Sequence, residues 1–282
     1  MTDLALATSI PPVMRRPGPG GEDAGPGWRA ACAASWTAPG WRVLTVNPAA
    51  EIATLDLPAG IEPIPAEPGV AEAFGRPGTW VSDALAQALA TGAPVVGIVN
   101  ADIRLDLSAA QRAALVERAR DRILACNRME IDHPSQAEGP FYRYGYDLVL
   151  MPRHLAAAID MRGFALGVPW WDYWILLDAL MQGIPVEVVQ CAAIRHLSHS
   201  AAWQRPAWLG ALRGMMAHVV PRRAALSRLG MGSVAEAVVD LLAAVAAAPE
   251  ESYPLDQLAE TAGTRFGIEV VRLAERNAWT ME

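Results

Sequence analysis

The residues with the clearest chemical potential follow a short apolar run near the middle of the chain. Residues 94–99 read PVVGIV, and Asn100, Ala101 and Asp102 come directly after them. Such a run is typical of a buried strand, and ligands of α/β proteins bind at the carboxyl ends of strands. A carboxylate there can bind a divalent cation, which can neutralise a diphosphate. The alternative is that Asp102 only caps a turn or the segment that follows it.

A second candidate site is the segment GVPWWDYW at 167–174, which holds three Trp, one Tyr and one Asp within five residues. Asp172 stands near the start of a predicted helix, where the helix dipole stabilises its anion. Burial among indoles would instead raise the pKa of the carboxyl group, as a general base requires. The sequence does not decide between these effects. It also leaves open a buried helix start in which Trp only fills the core.

A third candidate is the histidine pair His196 and His199, shortly after the predicted last strand. If the segment is helical, the two imidazoles share one face and reach one metal ion. If it is extended, they point to opposite sides and only one of them could bind that ion. The structural alternative is one capping and one exposed histidine.

The composition restricts how the chain can bind an anion. All 23 basic residues are Arg and none is Lys. This excludes a P-loop lysine, a kinase lysine and a Schiff-base lysine. Phosphate groups must therefore be held by Arg, backbone N–H groups, a helix N-terminus or a metal ion. Arg15 and Arg16 could clamp a phosphate, although arginines in such a loop are more often solvated. The formal net charge of -7 does not favour nucleic acid as a partner.

Other features bear on compartment and class. The separated Cys32, Cys126 and Cys191 form no CxxC motif. They exclude a zinc ribbon and fit a reducing compartment. With no signal peptide and no apolar stretch of membrane-span length, we expect a cytoplasmic protein without a transmembrane segment. The glycine strings at Gly25 and Gly230 lack the preceding strand of a dinucleotide-binding loop, and a GxSxG hydrolase motif is absent.

Strand and helix patterns alternate through residue 190. They predict strands at 4–10, 41–47, 61–64, 94–99, 123–127, 145–151 and 186–189, and helices at 28–36, 82–90, 108–122 and 173–181. Short helices are expected after Pro48 and Pro152, with Ser82 as a helix cap. Loops are predicted at 15–27 and 65–78, and mainly helices at 207–282. The alternation predicts an α/β fold with a largely parallel sheet.

Together these stretches resemble the GT-A glycosyltransferase fold of the nucleotide-diphospho-sugar transferase superfamily, and within it a divergent bacterial group. The likeness covers about residues 4–205 and rests on ordered stretches at 8–11, 35–47, 97–103, 145–153 and 164–174, followed by His196 and His199. It implies a GT-A-like, Rossmann-like central sheet, mostly parallel and flanked by helices. Residues 1–205 would form the nucleotide-sugar-binding and catalytic domain, and residues 206–282 a helical C-terminal extension.

The resemblance also implies roles for individual residues. Asp102 would be the last acid of a DxD-like motif and would bind Mn²⁺ or Mg²⁺ between two phosphates. Asn100 stands in place of the first acid, which weakens charge-based metal binding. His196 or His199 would complete the metal site. Asp172 would be the base of an inverting enzyme, deprotonating the acceptor hydroxyl for in-line attack at the anomeric carbon.

The remaining implied contacts are with the sugars and the nucleotide. Trp170, Trp171 and Trp174 would stack on sugar faces. The nucleotide-binding positions would be Thr8, Ser9, Ile10, Asn47, Asn100, Ala101 and Asp102.

The function expected from the resemblance is transfer of a sugar from a nucleotide-diphosphate-sugar donor to a carbohydrate or other hydroxyl acceptor. One alternative is a sugar nucleotidyltransferase on the same fold. It is disfavoured because such enzymes use Lys in the loop after the first strand, and residues 11–27 contain none. The other is a non-catalytic carbohydrate- or nucleotide-binding protein. Asn100 favours it, whereas Asp172 and the histidine pair disfavour it.

Overall fold

The computed structural model describes residues 2–18, 21–199, 205–248 and 254–281. In these ranges the chain forms a ten-stranded sheet flanked by helices. The strands are β1 (Leu4–Thr8), β2 (Trp41–Asn47), β3 (Ile61–Pro65), β4 (Val95–Val99), β5 (Ile103–Leu105), β6 (Ile123–Ile131), β7 (Phe141–Tyr142), β8 (Leu148–Pro152), β9 (Val186–Leu197) and β10 (Ala278–Thr280). The helices are α1 (Gly25–Trp36), α2 (Ala49–Ile52), α3 (Val70–Phe74), α4 (Val81–Ala90), α5 (Ala109–Arg118), α6 (Arg153–Ala156), α7 (Trp171–Met181), α8 (Arg205–Val219), α9 (Arg223–Arg228), α10 (Gly232–Ala247) and α11 (Pro254–Ala274), with a 3-10 turn at Val220–Arg222.

The sheet has the strand order β10-β9-β6-β8-β4-β1-β2-β3, with β5 added to β9 and β7 added to β6. Along this order all neighbours are parallel except β8, which is antiparallel to both β4 and β6. The predicted α/β class with a mostly parallel central sheet is therefore confirmed.

The strands at the centre of the sheet are apolar throughout because helices cover both of their faces. Every residue of β8, β4 and β1 is buried, which is the pattern expected of strands between two helical layers. One core, with Trp174 and Phe266 among its largest side chains, packs against α4, α7 and the C-terminal helices. The other core contains Trp36 of α1 and Leu115 of α5.

Several predicted boundaries shift. The predicted loop at 65–78 contains α3. Ser82 is not a cap, because α4 begins at Val81 and Trp80 precedes it. The cap that does form is Ser108, whose side chain accepts a hydrogen bond from the Gln111 N–H in a capping box at the start of α5.

Two strands run at least four residues beyond their predicted ends, and both extensions reach the candidate site. The predictions ended them at 127 and 189, whereas β6 runs to Ile131 and β9 to Leu197. Their outer halves carry polar residues and pair with the short β5 and β7 instead of lying in the apolar centre. The apolar pattern that revealed their inner halves therefore ends early.

The C-terminal region is mainly helical as predicted, apart from residues 249–253, which lie outside the described residues. It also adds β10 to the sheet, parallel to β9. Helix α11 packs closely on α7 through two glycines. A Cβ atom at Gly263 would lie 3.2 Å from the Trp170 ring, and one at Gly267 would lie 3.2 Å from the Tyr173 hydroxyl. The domain division between residues 205 and 206 stays a prediction.

Among the described helices, none combines the length and the apolar character that a membrane crossing requires.

An ion-pair cluster connects α5, β9 and β10. The buried carboxylate of Glu187 accepts hydrogen bonds from Arg118 Nε at 2.7 Å and Nη2 at 2.6 Å, and from Arg122 Nη1 at 3.3 Å. The Arg118 guanidinium also stacks on Trp279 of β10 at 4.6 Å. One carboxylate therefore fixes the helix and the sheet edge together.

We expect Glu187→Ala to lower the free energy of unfolding by about 1–3 kcal/mol, because it leaves two guanidinium groups without their buried partner. The matched control is Glu117→Ala, which removes an exposed pair with Arg120 at 2.9 Å and should cost less than about 0.5 kcal/mol. Urea unfolding followed by circular dichroism measures both. Equal destabilisation would show that the cluster contributes no more than a surface pair.

Candidate functional site

The candidate residues converge because parallel strands end at the same edge of the sheet. Asp102 follows β4, Asn47 ends β2, and His196 lies near the end of β9. The antiparallel β8 begins at this edge, so Asp147 immediately before it joins the same group.

Three side chains form a group that could hold a metal ion: Asp102, His196 and His199. Asp102 Oδ2 lies 3.2 Å from His196 Nε2 and 3.3 Å from His199 Nε2. Ligand atoms about 2.1 Å from one metal ion lie about 3.0–3.4 Å from each other in octahedral or tetrahedral geometry. The donor atoms and the two distances from Asp102 therefore fit a divalent cation, and all three ligand atoms lie within 4.8 Å of one another.

The end of β9 explains how both histidines reach Asp102. His196 lies within the strand, in register with Glu130 of β6 and Ile103 of β5, rather than after the strand as predicted. The strand stops at Leu197. The alternation that would send His199 to the opposite side therefore no longer applies, and the two imidazole centroids lie 5.0 Å apart.

Glu130 orients the first of these histidines. Its Oε2 lies 2.7 Å from His196 Nδ1 and also accepts a hydrogen bond from the Ser198 hydroxyl at 3.1 Å. Burial lowers the pKa of His196, but the hydrogen bonds to Asp102 and Glu130 outweigh it and raise the pKa to about 9. A carboxylate on the far nitrogen is the usual support of a metal-binding imidazole. A bound cation would replace the proton at Nε2.

Asp102 is held ionised by cationic neighbours. Burial raises its pKa, yet the hydrogen bonds from His196 and His199 and the charge of Arg16 bring the pKa well below its usual range. Arg16 Nη2 lies 2.7 Å from Asp102 Oδ2, so the expectation that this arginine is solvated is wrong. The Trp28 indole donates to the Asp102 carbonyl at 2.9 Å, which fixes the backbone at this position.

The half-buried guanidinium of Arg128 joins this group to the rest of the site. Arg128 Nε donates to Glu130 Oε1 at 2.7 Å, and Arg128 Nη1 donates to Asp147 Oδ2. Asn100 Nδ2 donates to the other oxygen of Asp147 at 2.5 Å. Asn100 therefore orders Asp147, and any direct contact of Asn100 or Ala101 with a nucleotide stays a prediction.

Asp172 lies in the first turn of α7 and has a raised pKa. Burial is the main cause, the charge of Asp147 adds to it, and together they bring the pKa to about 6. The N–H groups of Tyr146 and Tyr173 and the charge of Arg128 act in the opposite direction and are outweighed. Of the two effects that the sequence left open, burial is therefore the larger.

The start of α7 is held in place by aromatic packing. Trp170 precedes the helix with φ 83°, a left-handed conformation that costs a bulky residue about 1–3 kcal/mol. Its ring packs against Tyr173, Trp208 and Phe266, with centroid distances of 6.2, 5.8 and 6.3 Å. This packing fixes the first turn and, with it, the position of Asp172.

The three tryptophans of this segment lie in the core. Trp170, Trp171 and Trp174 are 4%, 3% and 0% exposed. The Trp174 indole donates to the Asp160 carbonyl at 2.7 Å, and its ring stacks on Phe164. Stacking of these indoles on sugars stays a prediction, and their burial does not favour it.

The predicted nucleotide contacts near β1 form a hydrogen-bonded corner. Asn47 is fully buried, and its Nδ2 donates to Ser9 Oγ at 3.2 Å, Ile10 O at 2.9 Å and Glu51 Oε2 at 2.9 Å. Thr8 is buried beside it. These contacts set the path of the chain after β1, and contacts of these residues with a base or ribose stay a prediction.

Three charged residues of the site were not predicted from the sequence: Arg128, Glu130 and Asp147. Arg128 and Glu130 alternate in the outer half of β6, where charged residues two apart on a strand share a face. This alternation of charged residues directly after a buried run was the sequence signal that could have placed Arg128 and Glu130 in the site.

No protein-family model and no curated protein matches the sequence. Solved structures that show a weak similarity to the chain include the following two. One is the mannosyltransferase PcManGT from Pyrobaculum calidifontis in complex with GDP-Man and Mn²⁺, with a TM-score of 0.42 and 12% identity over 96% of this chain and 86% of that one. The other is 2-C-methyl-D-erythritol 4-phosphate cytidylyltransferase from Thermus thermophilus, with a TM-score of 0.35 and 15% identity over 75% of this chain and 98% of that one. At scores below 0.5, neither likeness establishes a shared fold or activity.

We expect Glu130→Gln to weaken the binding of Mn²⁺ by about 10–100-fold, because the substitution weakens the carboxylate support of His196. Isothermal titration calorimetry of the purified protein measures the affinity. The control Glu138→Gln removes the same charge from a nearby exposed residue whose side chain is outside the site, and it should bind as the wild type does. Equal affinities for all three proteins would contradict the assigned role.

Proposed function

We propose that this protein is a glycosyltransferase that moves a sugar from a nucleotide-diphosphate-sugar donor to a hydroxyl group of an acceptor. The observation that carries the proposal is the joining of two features at one sheet edge. Asp102, His196 and His199 form a group with metal-ligand spacing. Arg128 bonds to Glu130, which supports His196, and to Asp147. The charge of Asp147 acts in turn on Asp172, a half-buried carboxyl group of raised pKa. Displacement at an anomeric carbon needs both a stabilised leaving group and a base.

The donor side of this proposal consists of Asp102, the two histidines and Arg16. A divalent cation bound there would neutralise the charge that develops on the leaving diphosphate. The ligand set of one carboxylate and two imidazoles favours Mn²⁺ over Mg²⁺, since Mg²⁺ binds mainly oxygen ligands. Arg16 already lies 2.7 Å from Asp102. Its guanidinium has the planar donor geometry that suits a phosphate, in a chain without lysine.

The acceptor side rests on Asp172. With a pKa of about 6, its carboxyl group is ionised at neutral pH and is more basic than an ordinary aspartate. Asp147 is the neighbouring carboxylate, but its two oxygens already accept hydrogen bonds from Arg128 and Asn100. Asp172 is therefore the base that we assign to the acceptor hydroxyl. Attack on the face opposite the leaving diphosphate would invert the anomeric configuration.

A sugar nucleotidyltransferase is the second candidate, since Arg16 of the loop after β1 contacts the metal-binding group. The raised pKa of Asp172 favours glycosyl transfer instead. A sugar phosphate that attacks a nucleotide is already ionised and needs no base, whereas a sugar hydroxyl does. The released product separates the two: pyrophosphate for nucleotidyl transfer, a nucleoside diphosphate for glycosyl transfer.

Donor binding is tested by thermal unfolding of the full chain with UDP, GDP, CDP, dTDP and their sugars, with and without Mn²⁺. A ligand that binds the folded state raises the Tm. We expect one nucleotide and its sugar to raise the Tm in the presence of Mn²⁺, and EDTA or Asp102→Ala to remove most of that increase. The absence of a shift with every nucleotide would contradict the proposal.

We expect Asp172→Asn to lower the transfer rate by about 10²–10⁴-fold and to leave donor binding nearly unchanged. In the wild type the rate should fall about tenfold per pH unit below pH 6, because protonation of Asp172 removes the base. Release of nucleoside diphosphate at saturating substrates, followed from acid to neutral pH, measures both effects. The control Asp121→Asn removes an exposed acid paired with Arg122 and should keep the wild-type profile. Wild-type turnover by Asp172→Asn would refute the assignment.

A further inference from the structure

A short segment beside the site exposes aromatic side chains. Phe141, Tyr142 and Tyr144 are 43%, 39% and 45% exposed, although the tryptophans of α7 are buried. Large aromatic rings gathered at the surface of a protein mark binding sites more often than single exposed apolar residues do.

The pairing of β7 places these rings on different faces of the sheet. Tyr142 is opposite Arg128, and Phe141 is opposite Met129. Directly opposite residues of antiparallel strands project from the same face. Met129 is buried in the core around α1 and α5, so Phe141 belongs to that face. Tyr142 shares the face of Arg128, whose guanidinium carbon lies 4.3 Å from the tyrosine ring centre.

Tyr142 and Tyr144 form a pair that is tied to the proposed base. Their rings meet edge to face, with centroids 6.1 Å apart. The Tyr144 carbonyl accepts a hydrogen bond from the Tyr173 hydroxyl at 2.7 Å. Two residues further on, the Tyr146 N–H donates to Asp172 Oδ2 at 3.2 Å. These two hydrogen bonds therefore anchor the segment that carries the aromatic pair to the first turn of α7, where Asp172 lies.

Space for a ligand lies next to this pair. Tyr144 lines a cavity of about 410 Å³ between the segment and α11. Small-molecule sites of proteins occupy about 300–1,000 Å³. Arg143, Arg272, Glu275 and Arg276 line the same cavity and offer hydrogen-bond donors and acceptors to hydroxyl groups.

We propose that Tyr142 and Tyr144 form the binding platform of a carbohydrate acceptor, whose pyranose ring packs in the angle between the two rings and extends toward the cavity beside Tyr144. This proposal rests on the proposed function, since it supplies the acceptor whose hydroxyl group reaches Asp172. The C–H faces of a sugar ring pack on aromatic rings, and its hydroxyl groups bond to charged side chains. The exposed tyrosines offer the aromatic surface that the buried tryptophans of α7 lack.

The test is saturation-transfer NMR on the full chain with disaccharides of glucose, mannose, galactose and N-acetylglucosamine, each with and without nucleoside diphosphate and Mn²⁺. We expect at least one disaccharide to bind the wild type, and Tyr142→Ala and Tyr144→Ala to bind it about tenfold more weakly. Tyr142→Phe should bind as the wild type does, because it keeps the ring. Phe141→Ala is the matched control, an exposed aromatic on the other face of the same strand, and should also bind normally.

Three results would overturn the platform: no disaccharide binds the wild type, both alanine variants bind normally, or Phe141→Ala binds as weakly as they do. Tyr142→Ala also removes the ring that contacts Arg128, so it could weaken binding by disturbing the site. Tyr144→Ala leaves that contact in place and therefore tests the loss of the aromatic surface itself. The thermal shift with nucleotides separates this proposal from the proposed function. Nucleotide binding without disaccharide binding would contradict the acceptor platform and leave the proposed function standing. Tyrosine-dependent disaccharide binding without any nucleotide shift supports the platform and removes the transferase.

Discussion

The geometry of the site depends on one half-buried guanidinium, that of Arg128. Arg128 donates through Nε to Glu130, which orients His196, and through Nη1 to Asp147, whose charge acts on Asp172. The ring of Tyr142 covers it. Arginine can do this because its planar fork donates in several fixed directions at once, whereas an ammonium group is a flexible point charge. In a chain whose basic residues are all arginine, a single side chain links the metal-binding group, the base and the exposed aromatic pair.

The same network shifts the pKa values of two carboxyl groups in opposite directions. Both Asp102 and Asp172 are desolvated, and burial alone raises the pKa of each. Asp102 contacts His196, His199 and Arg16, and their hydrogen bonds and charge bring its pKa well below the usual range. For Asp172 the largest charge effect comes from Asp147, and its pKa is about 6. Carboxyl groups whose environments separate their pKa values in this way can divide the roles of ligand and base.

The sequence predicted what residue type and periodicity determine. The continuous apolar run at 94–99 predicted β4. The grouping of Asp102 with His196 and His199 was implied by the family resemblance, and the structure brings these three side chains together. Arg128, Glu130 and Asp147 were missed because their roles arise from pairing between β6, β8 and β9, which no single strand reveals. For the indoles the sequence left both core packing and sugar stacking open, because composition cannot place them. Helix α7 is apolar on nearly every side, so its pattern shows no face that is turned to solvent.

The burial of those indoles gives the C-terminal helices a role in the site. Trp170 holds a left-handed backbone conformation that persists only where surrounding packing stabilises it. That packing comes from Trp208 of α8 and Phe266 of α11, and Gly263 leaves the room for the ring. Asp172 lies two residues later, in the first turn of α7. Without these helices the packing that stabilises the backbone conformation of Trp170 would be lost, and the first turn of α7 would lose that support. Through Trp170, helices α8 and α11 therefore help to hold the helix turn that carries the proposed base.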